Sequence, residues 1–403
     1  MADTENNKNS NSPASTSAPA LRFPGFTEPW RRIRLGDNCT IQMCKRIFAN
    51  QTSEIGEVPF FKIGTIGGYP DTFISKELFE EYKTRYNYPS EGEVMITCAG
   101  TVGKTMQFDG IDSYFQDSNI VWIHNPNQLT VNDFLAYVLG KINWNKLNST
   151  TITRIYNDDL RNLIYFAPEN VAEQRKIVSL LRLIDERIAT QRRLIEKLKT
   201  LIKGIVVFHF NNSNTKKTIT IKNLGEAYSV GNLSKDDLSE YGKPCIIYGE
   251  LFTTYGCVAS KIQSRTNKYT QATLSKAGDI LFPASTTVDA ISLIAPTSLQ
   301  TNGVYVAGDM FGIHILPQFN SEYISYLLNY VYNRVLSKYA QGSTIIHLHY
   351  AYIKNTTIQL PCLEEQNKCA ELLEALQTKL DVAKQLIDRY QIQKSYLLQQ
   401  IFI

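Results

Sequence analysis

The chain has 403 residues, 20% charged side chains and a formal net charge of +4. That is length enough for two or more domains that each bury an ordinary core, and a charge that permits nucleic acid without demanding it. Seven cysteines and five histidines are scattered without a CxxC pair, which argues against a disulfide framework and leaves a zinc site little to build on. No apolar run approaches a membrane span and no signal peptide is read at the start, so the expected setting is reduced, cytoplasmic and away from membranes.

Residues 1–20 are mostly Asn, Ser, Thr, Ala and Pro with almost nothing to bury, and the segment is expected to be a disordered tail. Structure is expected to begin at LRFPGFTEPWRRIRLGD (21–37), where Trp30 anchors and Ile33 and Leu35 alternate as in a short strand. Further strands are read at VPFFKIG (58–64), EVMIT (93–97) and NIVWI (119–123), separated by Gly, Pro and Asn turns. Tyr82, Lys83, Arg85, Tyr86 and Tyr88 read as a solvated helix end in preference to a nucleic-acid backbone contact. A helical patch, VNDFLAYVLGKINW (131–144), precedes the polar loop NSTTITRI (148–155) and the strand-like NLIYF (162–166).

From Pro168 the pattern changes. Ile177, Leu181, Ile184, Ile188, Gln191, Ile195, Leu198, Ile202 and Ile205 keep an unbroken four-three spacing, the a/d seam of a coiled coil. The chain then repeats itself. TITIKNLGE (218–226) echoes RRIRLGD, PCIIYGEL (244–251) echoes PFFKIG, and GDILFPASTT (278–287) echoes GEVMITCAGT (92–101). SEYISYLLNYVYNRV (321–335) echoes the helical patch, and QGSTIIHL (341–348) matches NSTTITRI without gaps through to Pro361. From Pro361 the same frame picks out Cys369, Leu373, Leu376, Leu380, Ala383, Ile387, Tyr390, Lys394 and Leu397. Lys394 breaks the second seam and Ala383 weakens it. Two long helices with matching seams in one chain are expected to pack on each other; the alternative reading is that each is an amphipathic helix on its own globular core.

Each half also offers two loops of small and hydroxyl-bearing residues. The first follows a buried strand: Thr97, Gly100, Thr101 and Lys104, matched by Ser285, Thr286 and Thr287. The second holds Thr150, Thr151 and Arg154, matched by Ser343, Thr344 and His347. Small residues let a backbone approach a phosphate or base edge. Hydroxyls and Lys serve phosphates or bases, and Arg pairs with guanine edges. Taken singly these residues also fit ordinary solvated turns; their recurrence in both halves is what makes the loops candidate DNA contacts.

No catalytic or metal-binding set is read. GTVGKT (100–105) fails as a phosphate-binding loop because the position five before Gly103 is Cys98, not Gly. NPNQ at Asn125 lacks the second Pro and the aromatic of a base-methyltransferase site, and Asp158 and Asp159 lack the third acid and lysine of a nuclease.

This order of variable domain, long helix, second variable domain and second long helix resembles the DNA-specificity (S) subunit of type I restriction-modification systems. The likeness is carried by RFPGF…W…LGD, by the Pro…EQ…I…L…ID opening of the first helix, and by Pro…EQ in the second copy. It implies an α+β protein: two β-rich target recognition domains in pseudo-twofold duplication, joined by two long helices that form an antiparallel coiled coil. The expected divisions are a tail and lead-in at 1–26, domain one at 27–166, helix one at 167–211, domain two at 212–360 and helix two at 361–403. The resemblance further implies a non-catalytic subunit that reads a split target on double-stranded DNA, with the helices fixing the distance between halves. Its implied partners are two methyltransferase subunits and, in the full complex, two motor-nuclease (restriction/translocase) subunits. S-adenosylmethionine, ATP and Mg would belong to those partners, with no cofactor in this chain. The alternative is a coiled-coil adaptor between proteins that reads no DNA. Gln377 stands where the first helix has Asp185, and Cys369 where it has Ile177, a departure that bears on partner contacts.

Overall fold

A computed structural model describes residues 18–144 and 154–403. The chain divides into two compact units, residues 1–190 with 388–403 and residues 191–387, so the division cuts each long helix. Residues 1–17 of the expected tail, and Thr150 and Thr151 of the first hydroxyl loop, lie outside the described residues.

The first unit is built on a four-stranded antiparallel sheet with strands in the order Thr40–Gln42, Ile120–His124, Val94–Thr97 and Thr105–Gln107. Val94, Ile96, Val121 and Ile123 face a core shared with the helix Asn132–Lys141. Met95, Ile120 and Trp122 face a second core on the other side of the sheet. Burial on both faces explains why the two central strands, Val94–Thr97 and Ile120–His124, read as continuous apolar runs and not as alternating ones. The second core is covered by strands Val58–Phe61, Phe73–Ile74 and Tyr114–Phe115 and by the helix Lys76–Arg85. Ser75 caps that helix, its hydroxyl accepting from the Leu78 amide at 3.3 Å. Tyr82 and Tyr88 of the expected solvated helix end pack into this core, while Lys83 and Arg85 pair at the surface with Asp112 and Glu81.

The second unit repeats the plan with more strands. Its first sheet runs Gly225–Ser229, Met310–Ile315, Asp279–Pro283, Thr297–Leu299, Val258–Ala259. Ile280, Phe282, Phe311 and Ile313 face the core shared with the helix Ser321–Tyr330, and Leu281 and Met310 face a separate cluster. In both units an early strand runs parallel to a later one: Val58–Phe61 beside Tyr114–Phe115, and Lys243–Ile247 beside Tyr305–Ala307. In both, the opening strand pairs antiparallel with the strand that precedes a long helix: Arg31–Arg34 with Ile164–Ala167, and Lys217–Thr220 with Thr357–Leu360.

The Glu-Gln pair of each helix opening now has a physical role. Gln174 is fully buried; its side-chain amide donates to the carbonyls of Pro168 (2.8 Å) and Leu129 (2.9 Å), and its oxygen accepts from the Val131 amide at 2.8 Å. Gln366 does the same work in the second unit, donating to Pro361 O at 2.8 Å and accepting from Asn320 N at 3.0 Å. Each glutamine therefore ties the start of a long helix to the start of the small helix beside it. The preceding residue binds the lead-in chain. Glu173 accepts two bonds from Arg22 (2.7 and 2.9 Å), and Glu365 accepts from the Ser213 hydroxyl at 2.5 Å.

The long helices span Val171–Asn212 and Leu363–Ile401. In the first unit Asp185 meets Lys394 at 2.6 Å and Arg187 meets the Tyr390 hydroxyl at 3.4 Å, so one number rises as the other falls. The packing is antiparallel. Ile177, Leu181, Ile184, Ile188 and Leu397 are buried there and Tyr390 is half-buried. Lys394, the break in the second seam, is accommodated by its ion pair with Asp185. In the second unit Ile195, Leu198 and Ile202 are buried in one core with Leu373, Leu376, Leu380 and Ala383, and Ile387 packs against its edge. One detail differs from the expected frame: after Ile202 the fully buried residue is Val206 and Ile205 is half-buried, so the seam steps by four.

Leu181 is fully buried and Leu183 is 57% exposed on the same turn. Leu181→Ala should cost about 2–5 kcal/mol of stability, and Leu183→Ala less than about 0.5 kcal/mol. Urea unfolding midpoints measure both, and equal effects would contradict the seam.

Candidate nucleic-acid interface

The strand Val94–Thr97 delivers the first candidate loop. Thr97, one of the candidate DNA contacts, is fully buried, because the strand that carries it is covered on both faces. Its hydroxyl donates to the Thr101 carbonyl and accepts from the Lys104 amide at 3.0 Å, so it shapes the loop from within. Gly100 and Gly103 hold positive φ angles of 65° and 82°, a region that disfavours residues with a Cβ. At Gly103 a Cβ would stand 2.1 Å from the Trp144 ring. Gly100, Thr101 and Lys104 are left exposed. The Lys104 ammonium is anchored on the Ile66 carbonyl, which ties this loop to residues 62–68.

Backbone bonds bring the two loops of each half together. In the first unit Cys98 donates to Asn119 O at 2.8 Å and accepts from Ile155 N at 2.9 Å, which sets Arg154 beside the first loop. There the Arg154 guanidinium donates to the Ser118 carbonyl at 3.3 Å and hydroxyl at 3.2 Å. In the second unit Ala284, the counterpart of Cys98, donates to Asp309 O at 2.8 Å and accepts from Leu348 N at 2.8 Å. Ser285 and Thr286 extend that contact as a two-residue ladder with His347 and Ile346. Gln341 and His347 exchange backbone bonds of 2.9 and 2.7 Å, closing a loop with Ser343 and Thr344 exposed at its tip. Gly342, at φ 126°, makes that closure possible, since a Cβ there would lie 1.9 Å from Ile345 O. Thr287 is exposed, Thr286 half-buried and Ser285 buried.

At the end of the same central strands away from the loops lies a pairing that residue patterns did not single out. Glu93, nearly buried, accepts from His124 Nδ1 at 2.7 Å, and Asp279, its counterpart, accepts from His314 Nδ1 at 2.7 Å. Asp279 also accepts from the Tyr228 hydroxyl at 2.8 Å. The signal was present in the repeat: an acid at the start of one central strand and a histidine at the end of the next, twice. Burial pushes the Cys98 thiol up to about 12, and Cys44 and Cys257 equally far, with Cys39, Cys245 and Cys369 raised to about 11. These thiols are core packing, not nucleophiles. Among the described residues no group of three or more His, Cys, Asp or Glu could hold a metal ion, and no helix is long and apolar enough to cross a membrane.

The family model of the type I restriction modification DNA specificity domain matches residues 27–200 and again 213–389. The chain belongs to this family. The two matches coincide with the two copies of the repeat. A putative type I restriction enzyme specificity subunit of Haemophilus influenzae is 48% identical over 149 residues, which is 37% of this chain and 38% of that protein. The match thus spans well under half of that relative's length. Among solved structures, the type I restriction-modification S subunit from M. genitalium superposes with a TM-score of 0.63 at 15% identity, covering 96% of this chain and 99% of that one. A second chain, from work on complex assembly and conformational transition of the type I R-M system, gives 0.50 at 17% identity over 94% and 97%. At such identities the likeness is one of fold. The duplicated domains and paired helices described above are the specificity-domain architecture.

The loop geometry carries a direct test. Gly103→Ala should lower stability by about 1–3 kcal/mol through the strained φ and the Trp144 clash. Gly64, with open space where a Cβ would go, should tolerate Ala within about 0.5 kcal/mol. Thermal unfolding midpoints of the two variants provide the comparison.

Proposed function

We propose that this chain is the sequence-reading, non-catalytic subunit of a type I restriction-modification complex. Each domain reads one half of a split target on double-stranded DNA, and the helix pair sets the distance between halves. The observation that carries this reading is the repeated loop junction. Ile155 N to Cys98 O in one half and Leu348 N to Ala284 O in the other fix the same two loops together, while the side chains those loops present differ. A scaffold kept twice with unlike tips suits two readers of unlike sequences. Thr101, Lys104 and Arg154 in the first domain, and Thr287, Ser343, Thr344 and His347 in the second, are the proposed contacting residues. Gly100 and Gly342 permit close backbone approach, and Thr97, Ser285 and Thr286 shape the loops. Thr150 and Thr151 complete the proposed set from sequence alone.

Methylation and cleavage would come from two methyltransferase subunits and two motor-nuclease subunits, which would bring S-adenosylmethionine, ATP and Mg. The family membership supports this division of labour, as does a structural relative solved in work on assembly of the type I system. The site of action would be the cytoplasm, where the chromosome and reduced thiols are found.

Exchanging residues 27–166 for the equivalent domain of a relative should change one half of the recognised sequence and leave the other half and the spacer alone, because each unit buries its own cores. Within that domain Arg154→Ala should relax discrimination at one base by about 1–3 kcal/mol. Competition gel shifts with the methyltransferase present measure both. A chimera in which both half-sites change together would refute the two-reader account. A wild-type chain that binds its methyltransferase but prefers no duplex would be the protein adaptor instead.

A further inference from the structure

A cleft of about 920 Å³ in the second unit opens between the two long helices and the loops of the reading domain. Lys199 and Lys203 line it from the first helix and Lys384 from the second, with Thr253, Thr286 and Asn329 on the domain side. Among the described residues no acidic side chain lines it. Lys199 pairs with Glu196 at 2.9 Å and Lys384 with Asp381 at 3.6 Å, but these pairs are exposed and lie along single helices, where such contacts are weak. Lys203 makes no ion pair among the described residues. The cleft therefore carries three lysines and several hydroxyls around a lining that also includes Leu251, Phe252, Val288 and Leu380, and Thr286 of the candidate interface forms part of its rim.

The scaffold does not require these charges. Lys199 and Lys203 flank the seam residues Leu198 and Ile202 without joining them. In the duplicated helix, 192 residues on from Ile177 to Cys369, their counterparts are Gln391 and Ser395. Those two line a shallow groove of the first unit beside Ile392 and Tyr396. Lys384 corresponds to Arg192, so the asymmetry rests on Lys199 and Lys203. Four residues separate them, about 6 Å along a helix, which is close to two steps of a DNA strand at about 3.4 Å each.

We propose that this cleft grips the phosphodiester backbone of duplex DNA beside the second half-site, making the first long helix a DNA contact as well as a spacer. The inference rests on the DNA-reading function above. It assigns Lys199 and Lys203 as phosphate contacts that carry no sequence information, and it makes the complex asymmetric: the equivalent place in the first unit offers an amide and a hydroxyl.

The test is K199Q/K203S, which installs the residues the other helix already carries and so spares the fold. The full chain with its methyltransferase is titrated with labelled duplexes, with and without the recognised motif, across a sodium chloride series by fluorescence anisotropy. The expected result is a log–log salt dependence shallower by about 1.8 and an affinity at least about tenfold weaker for both duplexes, with the methylated motif unchanged. An unchanged slope and affinity, in a complex that still discriminates its motif, would overturn the cleft assignment and leave the reading function standing. Loss of methyltransferase binding with DNA affinity intact would also overturn it, and would show that the cleft seats an acidic protein surface. A wild-type complex with no preference for any duplex would remove the reading function and this inference together.

Discussion

The interaction on which this structure depends is the burial of one apolar stripe of each long helix. A helix of 42 or 39 residues has no stable place in water with a row of Ile and Leu exposed. In each unit that stripe is part of the domain's own core: Ile184 and Ile188 cluster with Phe134 and Leu139, and Leu198 and Ile202 with Leu327 and Ile353. Seam and domain are consequently one cooperative body in each half. The glutamines at 174 and 366 add direction, because each can satisfy its buried amide only when the small helix and the long helix start side by side.

Duplication of such a body separates what folding requires from what it leaves open. Both halves keep the clamp glutamine, the strand that closes the domain, the parallel strand pair, the acid–histidine pair and the junction between loops. Strand number, loop length and the side chains at the tips differ. The second unit has five strands in its main sheet where the first has four. Divergence confined to strands and tips beyond the shared framework is what selection for two different targets would leave, since side chains at the tips contribute little to the cores.

The architecture was legible because its strongest signal is local. Ile177 through Ile202 repeat at a fixed spacing that any reader can count, and the packed residues are those same ones. The step from Ile202 to Val206 was not legible, because the seam there is set by what the second unit packs against the helix. The candidate loops were visible as small and hydroxyl residues recurring in two places, but their meeting was not. Cys98 and Ile155 are far apart in sequence, and only the fold joins them. Thr97 and Lys104 show the limit of residue type as evidence. One hydroxyl and one ammonium look alike as DNA contacts on paper, yet one is buried as a loop brace and the other is anchored on Ile66 O. The acid–histidine pairs escaped notice because strand register, which puts Asp279 opposite His314, cannot be counted along a chain.

The central proposal is that one chain carries two readers, one for each half of a split target. Sequencing the methylated bases of a host that expresses this chain with the proposed partner methyltransferase tests it most directly. The account predicts adenine methylation at one split motif, two short defined sequences with a spacer of constant length between them. Methylation at a single continuous motif, at two halves with freely varying spacing, or at no motif would contradict it.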